Sequence, residues 1–256
     1  MITAADRSFG IPERRNVIYN TYENSLFGIV FLIEKLRIEV IVLSNNTIIF
    51  GDSYSTFEKF VPDGYAVYYS GKGSPETDVT EVYQTWWHQV ITEANLNLVL
   101  NNSWSGSTIC YTGYNNTDCS KSSSFIYRLH MLIAQGFFDK NNIDTVFVFG
   151  GSNDGWADAP IGTMKYENWE NDDLYSFLPA ICYFFKTLKD KLPQAHIYCL
   201  INTELKPEIS AGMRKVCQIY GITEISFDTI DKKCGHPTIK GMQDIKNTVL
   251  NVLRKN

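Results

Sequence analysis

Five short apolar runs, at residues 47–50, 96–100, 145–149, 197–201 and 222–227, restrict how this chain can fold more than any other feature. Each is rich in β-branched and aromatic residues, and segments with helical period lie among them, notably 124–137, 174–188, 207–220 and 238–253. A strand that is apolar on both faces needs cover on both. Buried strands alternating with helices therefore predict an α/β fold with a parallel sheet covered above and below. No Gly-, Ser- or Pro-rich linker divides the 256 residues, and one domain over 46–256 is expected.

Residues 1–45 stand apart as an N-terminal extension. The apolar run at 26–33 has the length of a signal h-region, but Glu34, Lys35, Arg37 and Glu39 follow it and no small-residue cleavage site is evident. It is also shorter than the roughly 20 apolar residues that span a bilayer. The run is expected to form an amphipathic helix or an extra strand, with no membrane span, and the compartment is left open between cytoplasm and export. Net charge is −5, and no Lys/Arg cluster is interleaved with aromatics, which argues against a nucleic-acid partner. The six cysteines form no CxxC pair and no His/Cys ligand spacing, so no metal and no cofactor is expected. Cys182, Cys199 and Cys217 fall in buried segments, while Cys110 and Cys119 are the pair expected to bridge in an oxidising compartment.

The first three runs each leave into a polar, glycine-containing turn. In a parallel sheet such turns gather at the carboxyl edge, where α/β proteins bind ligands. The first turn is Gly51-Asp52-Ser53-Tyr54, the second Asn101-Asn-Ser-Trp-Ser-Gly-Ser-Thr108, the third Gly150-Gly-Ser-Asn-Asp-Gly155. Gly-Asp-Ser alone is ordinary turn composition. Together, however, the loops offer a serine nucleophile at Ser53, a closely approachable backbone N–H at Gly106 and an amide donor at Asn153, as stabilisation of an oxyanion requires. His236, between Gly235 and Pro237 just before the last helical segment, could serve Ser53 as general base.

With these residues in order, the chain resembles the SGNH hydrolases, also called the GDSL esterase/lipase family. Gly51-Asp52-Ser53, Ser105-Gly106-Ser107-Thr108, Gly151-Ser152-Asn153-Asp154 and His236 follow that family's block order across about residues 46–254. The resemblance implies a flavodoxin-like three-layer αβα sandwich around a five-stranded parallel sheet. It implies Ser53 as nucleophile, His236 as base, and an oxyanion hole from the Ser53 and Gly106 N–H groups and the Asn153 side chain. The family's acid stands three residues before the histidine, where this chain has Lys233. Asp231 is the favoured acid, Asp228 the next, and a Ser-His dyad steadied by a backbone carbonyl the third.

Other residues carry competing readings. Asp52 and Asp154 suit capping or loop-fixing roles, although a carboxylate pair could also serve glycoside hydrolysis. Tyr54, Trp104 and Trp156 each adjoin a block and are candidate substrate walls, with core packing as the alternative. His88 and His130 lie in helical segments and His196 opens a strand at its far end, so none is expected in catalysis. Asn115-Asn116-Thr117 fits the N-glycosylation pattern. The expected function is a serine esterase acting on short acyl esters of small molecules or glycans, with a non-catalytic carbohydrate-binding module and an acyltransferase as alternatives.

Overall fold

The computed structural model describes residues 45–255, so the apolar run at 26–33 lies outside the described residues. Strands β1 (Asn46–Gly51), β2 (Asn97–Ser103), β3 (Thr145–Phe149), β4 (His196–Ile201) and β5 (Thr223–Ser226) form one parallel sheet in the order β2-β1-β3-β4-β5. The helices are α1 (Trp86–Glu93), α2 (Phe125–Ala134), α3 (Phe137–Lys140), α4 (Ser152–Trp156), α5 (Phe177–Lys191), α6 (Pro207–Tyr220) and α7 (Ile239–Leu253).

Strand periodicity divides the core in two. Ile48, Phe50, Val146 and Val148 point to the side covered by α2, α5 and α6, whereas Ile49, Phe147 and Phe149 point to the side of α1 and α7. Large rings fill both layers: Phe50 meets Phe184 edge-on on one side, and Trp86 meets Phe147 and Phe149 edge-on on the other. The sheet with helices on both faces is thus the three-layer αβα sandwich expected.

Local signals fix the helix ends. Ser124 caps α2 by accepting the Tyr127 N–H at 3.2 Å. Pro207 opens α6 and Gly221 closes it. The segment read as helical from 174 is a 3₁₀ turn at Asn171–Tyr175 before α5 begins. Likewise β2 runs through Ser103, three residues beyond the expected strand at 96–100. Its polar end reads as loop in sequence, yet these side chains are buried and Asn101 Nδ2 donates to the Ser55 carbonyl at 2.8 Å.

From β1 the chain crosses to β2 on one side, and β3 then pairs with β1 on the other. The loops after β1 and β3 therefore part at a topological switch point, opening a crevice at the carboxyl edge. Ser53 and Asn153 stand on those two loops.

Candidate active site

Ser53 begins a 3₁₀ turn, Ser53–Ser55, directly after β1. Asp52 caps that turn, its Oδ1 accepting the Tyr54 N–H at 3.0 Å, while its own N–H reaches back to the Phe149 carbonyl of β3 at 3.2 Å. Burial raises the Asp52 carboxyl to about 7, with Tyr54's N–H opposing the shift. Asp154 is equally buried and accepts the Ile109 N–H (2.9 Å to Oδ2) and the Cys110 N–H (3.1 Å to Oδ1); burial raises it to about 6 against those bonds. Both acids hold loops, as the capping reading expects.

His236 arrives from a small hairpin. Strands β6 (Lys232–Lys233) and β7 (His236–Pro237) pair antiparallel through a two-residue turn in which Cys234 and Gly235 have φ of 48° and 77°. Positive φ at both central positions is the type I′ pattern, which glycine accommodates at the second. The turn aims the imidazole at the end of β1, and His236 Nε2 lies 2.9 Å from Ser53 Oγ. On its far side Nδ1 lies 3.1 Å from the Cys234 carbonyl. A carbonyl only accepts, so Nδ1 carries the proton and the Nε2 lone pair faces the serine. Burial lowers the His236 pKa, the Cys234 carbonyl opposes this, and the Lys232 charge adds to the lowering.

Among the described residues no carboxylate hydrogen-bonds to the imidazole; the Glu76 charge acts on it only through space, opposing the lowering. Asp231, the favoured acid, lies at the base of the hairpin and is held by the start of α7. Its carboxylate accepts the Thr238 hydroxyl, its carbonyl accepts the Thr238 N–H at 3.0 Å, and a Cβ on Gly241 would meet that carbonyl at 2.0 Å. The hairpin consumes the residues between Asp231 and His236, so they cannot loop back. The two hydrogen bonds of the imidazole, Nε2 with Ser53 Oγ and Nδ1 with the Cys234 carbonyl, have the geometry of the third reading, a Ser-His pair steadied by a backbone carbonyl.

Aromatic rings take up the remaining sides of the imidazole. Tyr68 stacks on it at a centroid separation of 3.6 Å and an interplanar angle of 9°, with Tyr54 at 5.5 Å and Trp156 at 5.9 Å. Tyr68 carries no sequence signal beyond a tyrosine-rich loop and was not anticipated. Of the three expected substrate walls, Trp156 is half-exposed and lines the cleft. Tyr54 is instead a core residue, 1% exposed, edge-on to Phe149 and donating its hydroxyl to the Gly235 carbonyl at 2.5 Å. Trp104 packs against Tyr65 at a centroid separation of 4.3 Å with the rings tilted by 36°, and lines a separate groove beside α2.

The cleft itself, about 550 Å³, is lined by Ser53, Gly106, Asn153, Tyr114, Trp156 and His236 among others. Neither the Ser53 nor the Gly106 N–H has an acceptor among the described residues. Asn153 Nδ2 donates to the Ser107 carbonyl at 3.1 Å, which leaves its second hydrogen free. Behind these donors lies an unanticipated buried cation. Arg128, 1% exposed, donates to the carbonyls of Asn102, Gly51 (3.2 Å) and Ser123 (2.9 Å) and to Ser107 Oγ (3.0 Å), tying the ends of β1 and β2 to the glycine-bearing loop. Burial lowers its pKa to about 9, so it stays charged at neutral pH. An arginine in an apolar helix face reads as surface in sequence; only the orphan carbonyls around it account for its burial.

Cys110 and Cys119 are both free thiols here, each donating to its own neighbouring carbonyl, Thr112 at 3.5 Å and Thr117 at 3.6 Å. Among the described residues no group of three or more His, Cys, Asp or Glu could hold a metal ion, and no helix is long and apolar enough to cross a membrane.

Comparison with known families decides the classification: the GDSL-like lipase/acylhydrolase model matches residues 45–253. The chain belongs to the GDSL-like lipase/acylhydrolase family. Candidate GDSL-like lipases from Bacteroides ovatus and Bacteroides uniformis are 43% identical at a TM-score of 0.76; each match covers 83% of this chain, with 99% and 97% of theirs. An active-site mutant of a family two carbohydrate esterase from Clostridium thermocellum shares the fold at 16% identity and a TM-score of 0.57, over 84% of this chain and 64% of that one. No curated relative matches. This GDSL-family chain is thereby placed among hydrolases that act on esters.

Proposed function

We propose that this GDSL-family protein is a serine esterase that removes short acyl groups, chiefly acetyl, from carbohydrate or similar small esters. The observation that carries the reading is the 2.9 Å contact between Ser53 Oγ and a His236 whose tautomer leaves Nε2 basic. In the forward step Nε2 takes the Ser53 proton as Oγ bonds to the ester carbonyl carbon. The carbonyl electron pair moves to oxygen, towards the Ser53 and Gly106 N–H groups and Asn153 Nδ2. Collapse breaks the ester C–O bond, and the imidazolium returns its proton to the leaving alcohol. Water repeats the sequence, giving the acid and free Ser53.

With no carboxylate hydrogen-bonded to it among the described residues, the transient imidazolium is met by the Cys234 carbonyl and the Tyr68 face, a π surface that favours a cation, and the Glu76 charge favours it through space. The cleft of about 550 Å³ has room for a small ester beside Ser53 and His236. The exposed Trp156 ring at its mouth offers a stacking surface for a sugar, in keeping with the carbohydrate esterase whose fold the chain shares.

The test is turnover of p-nitrophenyl acetate and of acetylated oligosaccharides, with fluorophosphonate labelling mapped to its site. Label on Ser53, lost in Ser53→Ala, is expected; an unlabelled serine together with no turnover rejects the proposal. Product analysis with an added sugar acceptor separates hydrolysis from acyl transfer.

A further inference from the structure

One polar contact in the cleft has no role in the chemistry above. Tyr114 O–H donates to Asn153 Oδ1 at 2.7 Å, while Asn153 Nδ2 donates to the Ser107 carbonyl at 3.1 Å. Both contacts specify the same amide orientation. Turned over, the amide would set its oxygen against the Ser107 carbonyl and its NH₂ against a hydroxyl that must then accept. In the observed orientation one Nδ2 hydrogen is taken by Ser107 and the second is left for the oxyanion.

Tyr114 is placed for this by the chain around it. It opens a 3₁₀ turn, Tyr114–Asn116, closed by a 3.0 Å bond from the Thr117 N–H to its carbonyl. Thr112 bridges to Asp118 below that turn, and the Cys119 N–H donates to the Tyr111 carbonyl at 2.7 Å. The segment's base, at Ile109 and Cys110, is held by the carboxylate of Asp154, the residue next to Asn153. One end of this small hairpin is thus anchored beside the oxyanion amide and its tip touches that amide directly. Burial and the nearby Asp52 and Asp154 carboxylates raise the phenol pKa, which keeps the O–H a donor across the working range.

From this geometry we infer that Tyr114 is a positioning residue for the oxyanion hole, which locks the Asn153 amide and, by donating to its oxygen, strengthens the N–H offered to the transition state. Donation to a carbonyl oxygen polarises the whole amide, so the second effect adds to the first. The inference rests on the esterase reading and adds to it a residue outside the four sequence blocks.

The experiment is a double-mutant cycle of Tyr114→Phe and Asn153→Ala, with kcat and KM measured on p-nitrophenyl acetate. Removing one oxyanion donor costs roughly 10²–10³ in kcat, and losing only its orientation is expected to cost about 10-fold, with KM within about two-fold. In the Asn153→Ala background, Tyr114→Phe is expected to change kcat by less than about two-fold, because the group it acts through is gone. A boronic acid that mimics the tetrahedral adduct should lose affinity for Tyr114→Phe by the same factor as kcat/KM.

An equal cost in both backgrounds, or a rise in KM with kcat unchanged, would assign Tyr114 to packing or ground-state binding and overturn the inference alone. Tyr114→Leu, compared with Tyr114→Phe, separates loss of the hydroxyl from loss of the ring: equal kcat supports the hydroxyl, and full activity in Tyr114→Phe refutes it. Absence of Ser53 labelling in the unmutated protein would instead remove the esterase reading, and the inference with it.

Discussion

Asp231→Asn discriminates most sharply between a triad and a carbonyl-steadied dyad. Were Asp231 the triad acid, its amide would present a donor to the imidazole, favour the wrong tautomer and lower kcat by about 10⁴, near 5.5 kcal/mol. The structure instead engages this carboxylate with the Thr238 hydroxyl, and its backbone N–H and carbonyl with Asp244 and the Thr238 N–H. Asparagine keeps an oxygen for that hydroxyl and leaves the backbone bonds intact. The expected loss in kcat/KM is therefore under about three-fold, and the stability loss stays below the roughly 1 kcal/mol of a typical helix cap. The assay is p-nitrophenyl acetate hydrolysis with purified Asp231→Asn and Asp228→Asn, Ser53→Ala as baseline, and thermal melts to report folding. A drop beyond about 100-fold in a folded Asp231→Asn variant would refute the argument and restore the triad.

The remaining predictions concern pH and stability. Because the base must be neutral, kcat/KM should rise through a His236 pKa lowered from the ordinary 6.5, and Lys232→Gln should move that acid limb to higher pH by removing a charge that adds to the lowering; a limb that stays or moves down contradicts this. Gly235→Ala forces a side chain at φ 77°, which costs about 1–2 kcal/mol, and a melt should show Tm lower by about 2–8 °C with kcat reduced as the hairpin shifts. Arg128→Met takes donors from the Asn102 and Ser123 carbonyls and from Ser107 Oγ, so denaturant unfolding should show a loss of about 3 kcal/mol; a loss under about 1 would mean the buried guanidinium is dispensable.

Much of this protein was legible from residue pattern because the relevant physics is local or periodic. Ile48, Ile49 and Phe50 must be covered on two faces, which calls for a parallel sheet and hence for loops meeting at one edge; Ser53, Gly106, Asn153 and His236 were placed there by type and order alone. The polar end of β2 and the buried Arg128 were not, because a polar side chain enters a core only when particular carbonyls elsewhere in the chain need it. Tyr54 and Trp104 look alike as aromatics beside a motif, yet one packs on Phe149 and the other on Tyr65, a difference set by the direction each backbone takes.

The acid shows the division most clearly. Sequence spacing limits how far Asp231 stands from His236 along the chain, but the I′ hairpin between them decides where each one points. Composition and order fixed which groups meet at the sheet edge; the turn at Cys234 and Gly235, the pull of α7 on Asp231 and the stacking of Tyr68 decided what holds the imidazole. Hydrogen bonds and ring contacts depend on directions over a few ångströms, and those directions exist only once the chain has folded.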